Sequence, residues 1–258
     1  MKKIIIAAML MVISVSFAVD THTNATPEAE QPKAKLELRE TKFDFGIAPD
    51  GQRMTHHFLL RSVGEDPLLI NSVRATCGCT SAPVEKDSLT PGDSTFLKVT
   101  FNSSGYRGRK ARKHVRINSN NAGRSIQNVG FSAFCDTSKY TVIKPDPVVI
   151  DVGSGEDFMD ENKFMVKNIT EDQTIELKVV TYDFDHIEEV KIKNDKLKPG
   201  KDTEVIVKMK EPVDGERILS SVTIEASDEA KSRITIPIRG GRNITRRHPR
   251  RQSNNPNK

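Results

Sequence analysis

Tryptophan is missing from this chain, and aromatic residues make up only 5% of it. So thin an aromatic supply argues against nucleic acid as a partner, since single-strand binders stack successive bases on aromatic rings. Cysteines number three in 258 residues, too few for a disulfide-built fold and an odd count that leaves one thiol unpaired. Also absent are Gly-x-Ser-x-Gly, His-Glu-x-x-His, a phosphate-cradling glycine loop and a dinucleotide fingerprint. Without these scaffolds the chain reads as not an enzyme. Beyond the first eighteen residues no segment is apolar enough for a transmembrane helix, and no stretch keeps a helical hydrophobic period for three turns.

What is present begins with an address. Met1-Lys2-Lys3 precedes an apolar run from Ile4 to Val15, and Ser16 and Ala18 place small residues three before and immediately before a cut after Ala18. This is the pattern of a secretory signal peptide over residues 1–18, so the expectation is an exported protein, periplasmic or extracellular. Residues 19–34 are polar, contain proline and show no apolar period, which predicts a flexible leader. The formal charge is +5, but its distribution matters more than its sum. Residues 242–258 hold six arginines and lysines and no acid, and two more lysines leave with the signal peptide, so the body carries −3. The basic tail, rich in Asn and Pro, cannot build a core and is expected to be disordered; it would touch an anionic envelope surface if it binds anything.

Between the two ends, short runs alternate apolar and polar residues at even spacing, separated by Gly, Pro, Asn and Asp. Phe43/Phe45, Met54/Phe58/Leu60, Leu97/Val99/Phe101, Val115/Ile117 and Val129/Phe131/Ala133 are examples. Period-two runs with regular turn signals predict strands buried on one face. The second half repeats the first in outline. Leu89-Thr90-Pro91-Gly92 and the strand after it return 108 residues later as Leu197-Lys198-Pro199-Gly200, and Val115-Arg116-Ile117 returns as Val222-Thr223-Ile224. Repetition at domain scale predicts an all-β fold of two tandem immunoglobulin-like β-sandwiches, residues 35–135 and 145–241, joined by a linker over 136–144.

The first half carries a more specific signature: Phe43-Asp44-Phe45-Gly46, His57-Phe58, Pro67-Leu68-Leu69-Ile70, Ala75-Thr76-Cys77-Gly78-Cys79-Thr80, Pro91-Gly92 and Val99-Thr100-Phe101-Asn102. In these residues, over about 36–134, the chain resembles the bacterial domain of unknown function 1573 family. The resemblance implies an immunoglobulin-like sandwich similar to major sperm protein-type modules, and an exported protein, with no activity attached. The second half lacks the Cys-Gly-Cys-Thr segment, so a site built on it belongs to the first half alone.

Cys77, Cys79 and Cys135 are the candidate site residues, and the residues themselves leave several readings open. A structural role ranks first, as packed thiols or as a disulfide, either Cys77 with Cys79 or Cys135 with one of them. Behind it stands a soft-metal site for copper or zinc, completed by Cys135, His56, His57 or His114, and then thiol exchange. No cofactor is otherwise implied. His56 and His57, adjacent on a strand, should point to opposite faces, one outward and one against the core, while His114 and His186 have no evident partner. Tyr106 to Arg116 gathers seven basic or potentially basic side chains; a solvated edge strand is their first meaning, and an acidic partner or anionic glycan patch the second. The expectation that follows is a non-catalytic binding or scaffolding protein that holds a protein partner through sandwich faces or edges, with strand addition the favoured route. The alternative is a thiol-redox or soft-metal protein centred on Cys77 and Cys79.

Overall fold

The computed structural model describes residues 33–213 and 215–241; the expected signal peptide, nearly all of the leader and the basic tail lie outside them. Nine strands make the first half: β1 (Leu36–Leu38), β2 (Lys42–Ile47), β3 (Arg53–Ser62), β4 (Leu68–Ala75), β5 (Thr80–Ser81), β6 (Ser88–Leu89), β7 (Ser94–Asn102), β8 (Lys110–Ser119) and β9 (Ile126–Phe134). Nine more make the second: β10 (Ile143–Asp146), β11 (Ile150–Asp151), β12 (Glu161–Asn168), β13 (Ile175–Tyr182), β14 (Ile187–Ile192), β15 (Lys196–Leu197), β16 (Asp202–Met209), β17 (Arg217–Ala226) and β18 (Arg233–Gly241). Among the described residues no helix is long and apolar enough to cross a membrane.

The two sets correspond strand for strand. In the first half β1-β3-β7-β5 forms one layer, while β2-β9-β8-β4-β6 forms the other, with β2 parallel to β9. In the second half β10-β12-β16-β14 faces β11-β18-β17-β13-β15, with β11 parallel to β18. Each half is thus an immunoglobulin-like sandwich, as the periodicity predicts. The alternating residues close two separate cores, one around Phe45, Phe58, Leu97 and Phe101, the other around Phe164, Val207, Ile224 and Ile236. Both Pro-Gly turns hold their glycine at positive φ, +87° at Gly92 and +72° at Gly200, where only glycine sits without strain. The first core takes in Ala34 at the end of the expected leader, and the second opens at Ile143, inside the expected linker.

Two cores do not make two independent bodies here: all the described residues fall in one compact unit. The edge of β18 that receives β11 at Ile238 also receives β2 at Ile234, so β2 lies between the last strands of both halves and their sheets run on as one. Ser221, Thr223 and Thr235, which alternation would turn to water, are almost fully buried. Ser221 Oγ accepts from the Thr55 N–H at 2.9 Å, and Thr235 Oγ1 donates to the Phe45 carbonyl at 2.6 Å. Those bonds satisfy backbone groups of β2 and β3 that a buried edge would otherwise leave unpaired. A bulge between Val179 and Thr181 sends Val180 out of its own sandwich and against the first core.

The family signature Phe43-Asp44-Phe45-Gly46 has a physical meaning at this joint. Phe43 and Phe45 are core residues, and Asp44 Oδ1 accepts from the Gly46 N–H at 3.0 Å. Gly46 has a φ of +69°, and a Cβ there would stand 2.0 Å from the Arg233 carbonyl oxygen. Gly46→Ala is therefore expected to cost about 2 kcal/mol or more in urea unfolding, through both strain and the clash with β18. Gly51→Ala, where φ is also positive but nothing lies within 4 Å, should cost only about 1 kcal/mol.

Candidate functional site

Strand β8 sets the candidate site. It pairs with β4 on one side and β9 on the other, so it is central, and the edge-strand reading of its charge is overturned: there is no edge here for the cations to guard. Ala111, Val115 and Ile117 enter the core, which leaves Lys110, Arg112, His114 and Arg116 exposed on the outer face. Arg74 on β4 stands directly opposite Arg116, and Lys42 on β2 is level with Gly130 of β9. Across the four strands β4, β8, β9 and β2 the one acid is Asp44, which pairs with Lys110 at 3.6 Å. Among the described residues Lys42, Arg74, Arg112 and Arg116 have no ion-pair partner. Like charges directly opposite one another on a sheet repel, so the Arg74–Arg116 pair favours an anion from outside.

At one end of this face lies the cysteine segment. Thr76 both donates its N–H and directs its hydroxyl to the His114 carbonyl, at 3.2 and 3.1 Å, which ties the turn to β8. Cys77 and Cys79 are joined to each other by a disulfide, and Cys135 is free and buried. The alternative pairing through Cys135 is not formed, and in this oxidised state neither sulfur of the pair is a thiolate able to hold copper or zinc. Cys79 Sγ lies 3.8 Å from the Tyr106 hydroxyl, and the Lys113 ammonium and Arg109 guanidinium sit over the Tyr106 ring at 5.2 and 5.7 Å. Because it closes a loop of only three residues, the bond restricts the unfolded chain by no more than about 1.6 kcal/mol. It shapes its own turn and links no second element. Burial, with the charge of Asp50, pushes the Cys135 thiol up to about 11, which suppresses the thiolate on which its reactivity depends.

Both histidines of β3 are buried, at 6% and 8% exposure, so neither is the surface residue that alternation predicts. His56 faces inward, stacked on Phe43 and hydrogen-bonded to Glu40. His57 faces outward, but the β13–β14 turn covers it, with Phe184 stacked on its ring at 4.0 Å. In that turn the fully buried Asp183 accepts a hydrogen bond from His186 at 2.8 Å and lies 3.3 Å from the Lys98 ammonium, while Lys98 donates to Asp185 at 2.6 Å. His186 also reaches Glu216 at 3.1 Å, so it has partners that sequence did not reveal; the run Asp183-Phe184-Asp185-His186 was the available signal. His57, Asp183 and Asp185 are the described residues whose ligand atoms group closely enough for a metal. Lys98 already supplies the positive charge there, and no cysteine joins the group.

The fold thereby defines a tandem immunoglobulin-like sandwich with one open basic face and an adjoining disulfide turn. Residues 36–134 match the family model described as Protein of unknown function (DUF1573), the stretch over which the sequence resemblance runs. No curated protein matches. Among solved structures, a protein of unknown function from Porphyromonas gingivalis W83 is 11% identical, with 80% of this chain and 98% of that one covered and a TM-score of 0.32. A PapD-like domain of human CEP192 is 13% identical over 48% of this chain and 97% of that one, TM-score 0.34. The CupB2 chaperone of Pseudomonas aeruginosa is 12% identical over 78% and 98%, TM-score 0.30.

Two measurements check this geometry. Intact mass after alkylation should show no labelled thiol in the native unreduced protein, one after unfolding and three after unfolding with reductant. The second is the pH dependence of the turn beneath His57. The hydrogen bond that His186 donates to Asp183 raises the His186 pKa above 6.5, so the stability it contributes is complete below that pH and is lost as pH rises through the raised value. Burial lowers the His57 pKa, so protonating His57 opposes folding as pH falls below 6.5. Burial alone would raise the Asp183 pKa, but the His186 hydrogen bond and the Lys98 charge leave it lowered; its contribution fails only in acid. His186→Asn is therefore expected to cost about 2 kcal/mol at pH 5.5, with the deficit shrinking by pH 8.5 in urea titrations.

Proposed function

We propose that this chain is an exported, non-catalytic binding or scaffolding protein that holds a protein partner against the outer face of β4-β8-β9-β2. One observation carries the reading: β8 is a central strand, yet its outward cations have almost no internal counter-charge. Surface cations in a protein body of net negative charge are ordinarily interleaved with acids. A one-sign sheet face is instead an electrostatic docking surface, which speeds encounter and rejects partners of like charge.

The edges of the first half are less inviting than the sequence suggests, and on that half this favours a face over strand addition. The long sheet ends in β6 and β15, each of two residues. The free side of β7 is covered by residues 83–85, through bonds from the Lys98 N–H to the Pro83 carbonyl and from the Glu85 N–H to the Phe96 carbonyl. Short and covered edges resist pairing with another chain. The signal-peptide pattern of residues 1–18 supports the exported address, and the absence of catalytic motifs in the sequence supports the non-catalytic role.

A photocrosslinking residue in place of Arg112 should yield one discrete protein adduct in the producing cell, whereas the same residue in place of Lys167, exposed on β12 of the other half, should yield none. No adduct from position 112, together with turnover of a substrate by the purified chain, would sink the reading.

A further inference from the structure

The cations of the basic face are arranged in a line as well as a patch. Lys110, Arg112 and Arg116 share one side of β8 at intervals of two or four residues, and a two-residue repeat in an extended chain spans about 6.6–6.8 Å. Small residues floor the neighbouring strand: Ser132 lies opposite Arg112 and Gly130 opposite His114. A shallow cleft of about 290 Å³ opens there, bordered by Lys42, Arg112 and Lys113. It leads, past Lys42 and Ser132, into a groove of about 560 Å³ where the two halves meet.

That groove draws on both halves. Lys42, Lys110 and Asp44, the last paired with Lys110, come from the first, Lys231 and Arg233 from the second, and Ile47 and Phe134 supply apolar wall between them, so cations outnumber the one acid. Arg233 is already held by Glu225 at 2.6 Å and by the Asp44 carbonyl at 3.2 Å, so it frames the groove. Lys42 and Lys231 have no ion pair among the described residues and are free to meet a ligand. The groove exists because Gly46 lets β2 approach Arg233, so it is complete only when the halves are docked.

We propose that this trough binds an extended acidic segment of a partner protein, with carboxylates at alternate residues. The segment would run along β8 and end in the groove between the halves. This rests on the binding-protein reading above and gives the partner its chemistry. An extended peptide with acids at every second position has the same repeat as the cations of β8, so several carboxylates meet several cations in one register. Arg74 and Arg116, abreast on adjacent strands, present two guanidinium forks to a single carboxylate, a geometry that charge-assisted pairs favour. Where the segment turns into the groove, its terminal side chains meet Phe134 and Ile47. A lipid surface would require only charge, and neither the two-residue register nor the apolar walls would help it.

The test is fluorescence anisotropy on the full chain with a labelled ten-residue peptide alternating Glu and Thr. Its comparators are a peptide of the same composition with its glutamates in one block, heparin, and vesicles rich in phosphatidylglycerol. Arg112→Glu with Arg116→Glu should weaken the alternating peptide at least about tenfold, while Lys167→Glu with Lys191→Glu, an equal change of net charge on the second half, should change it less than about twofold. Both variants must keep the wild-type thermal midpoint; should the first not fold, Lys42→Gln with Lys231→Gln takes its place. Equal losses in the face variant and the control, equal binding of the block peptide, or binding of heparin or vesicles in preference to the peptide would each overturn the proposal. If the peptide fails while the crosslink from position 112 still forms, the acidic segment is wrong and the binding protein stands.

Discussion

Two hydroxyls on the outer face of the second sandwich, Ser221 and Thr235, bond directly to the first sandwich and help hold the molecule together as one body. Ser221, Thr223 and Thr235 occupy positions that a solitary sandwich would give to water, and here they lie under β2 and β3 of the first half. Thr235 donates to the Phe45 carbonyl, Ser221 accepts from the Thr55 N–H, and Thr223 and Thr235 bond each other at 2.8 Å. Each bond answers a backbone or side-chain group that burial would otherwise leave unpaired, at a cost of about 1–3 kcal/mol apiece. An apolar interface of the same size would hold the halves together with less directional control. Hydrogen bonds to the backbone at fixed registers set one orientation.

That orientation decides what the basic face can be. With β2 shared between the closing strands of both halves, the outer surface of the first sheet continues into the second half, and Lys231 and Arg233 extend the line of cations that β8 begins. The junction network under His57 works in the same direction: Lys98 from the first half sits between Asp183 and Asp185 of the second. Breaking a buried pair of this kind leaves an uncompensated charge, so the network penalises separation of the halves. The trough and the joint are therefore parts of one arrangement.

The cysteine segment has a smaller structural role than its conspicuous spelling suggests. Its disulfide closes one turn at the foot of β4, and Thr76 anchors that turn to β8 beside His114. Cys135, the third cysteine, is sealed in the first core with its thiol held in the protonated form. The turn borders the basic face without contributing charge to it, which makes it a rim of that face.

Alternation of apolar residues determined the strands, because a side-chain period of two leaves one buried face per strand whatever else surrounds it. The 108-residue repeat determined two matching sandwiches, since like patterns close like cores. The Pro-Gly turns were legible as motifs because their backbone demands are local, whereas Phe43-Asp44-Phe45-Gly46 was legible by resemblance alone, since its glycine answers the Arg233 carbonyl of the other half. Which faces stay wet was a different matter. Ser221, Thr235 and His57 read as solvent-facing by period alone and are buried, because a second sandwich covers them; Arg112 and Arg116 read as guards of an edge and stand on a central strand. The docking of one half on the other and the pairing of Asp183 with Lys98 join residues 85 to 190 positions apart. No local pattern encodes such distances, and only the tertiary structure decided them.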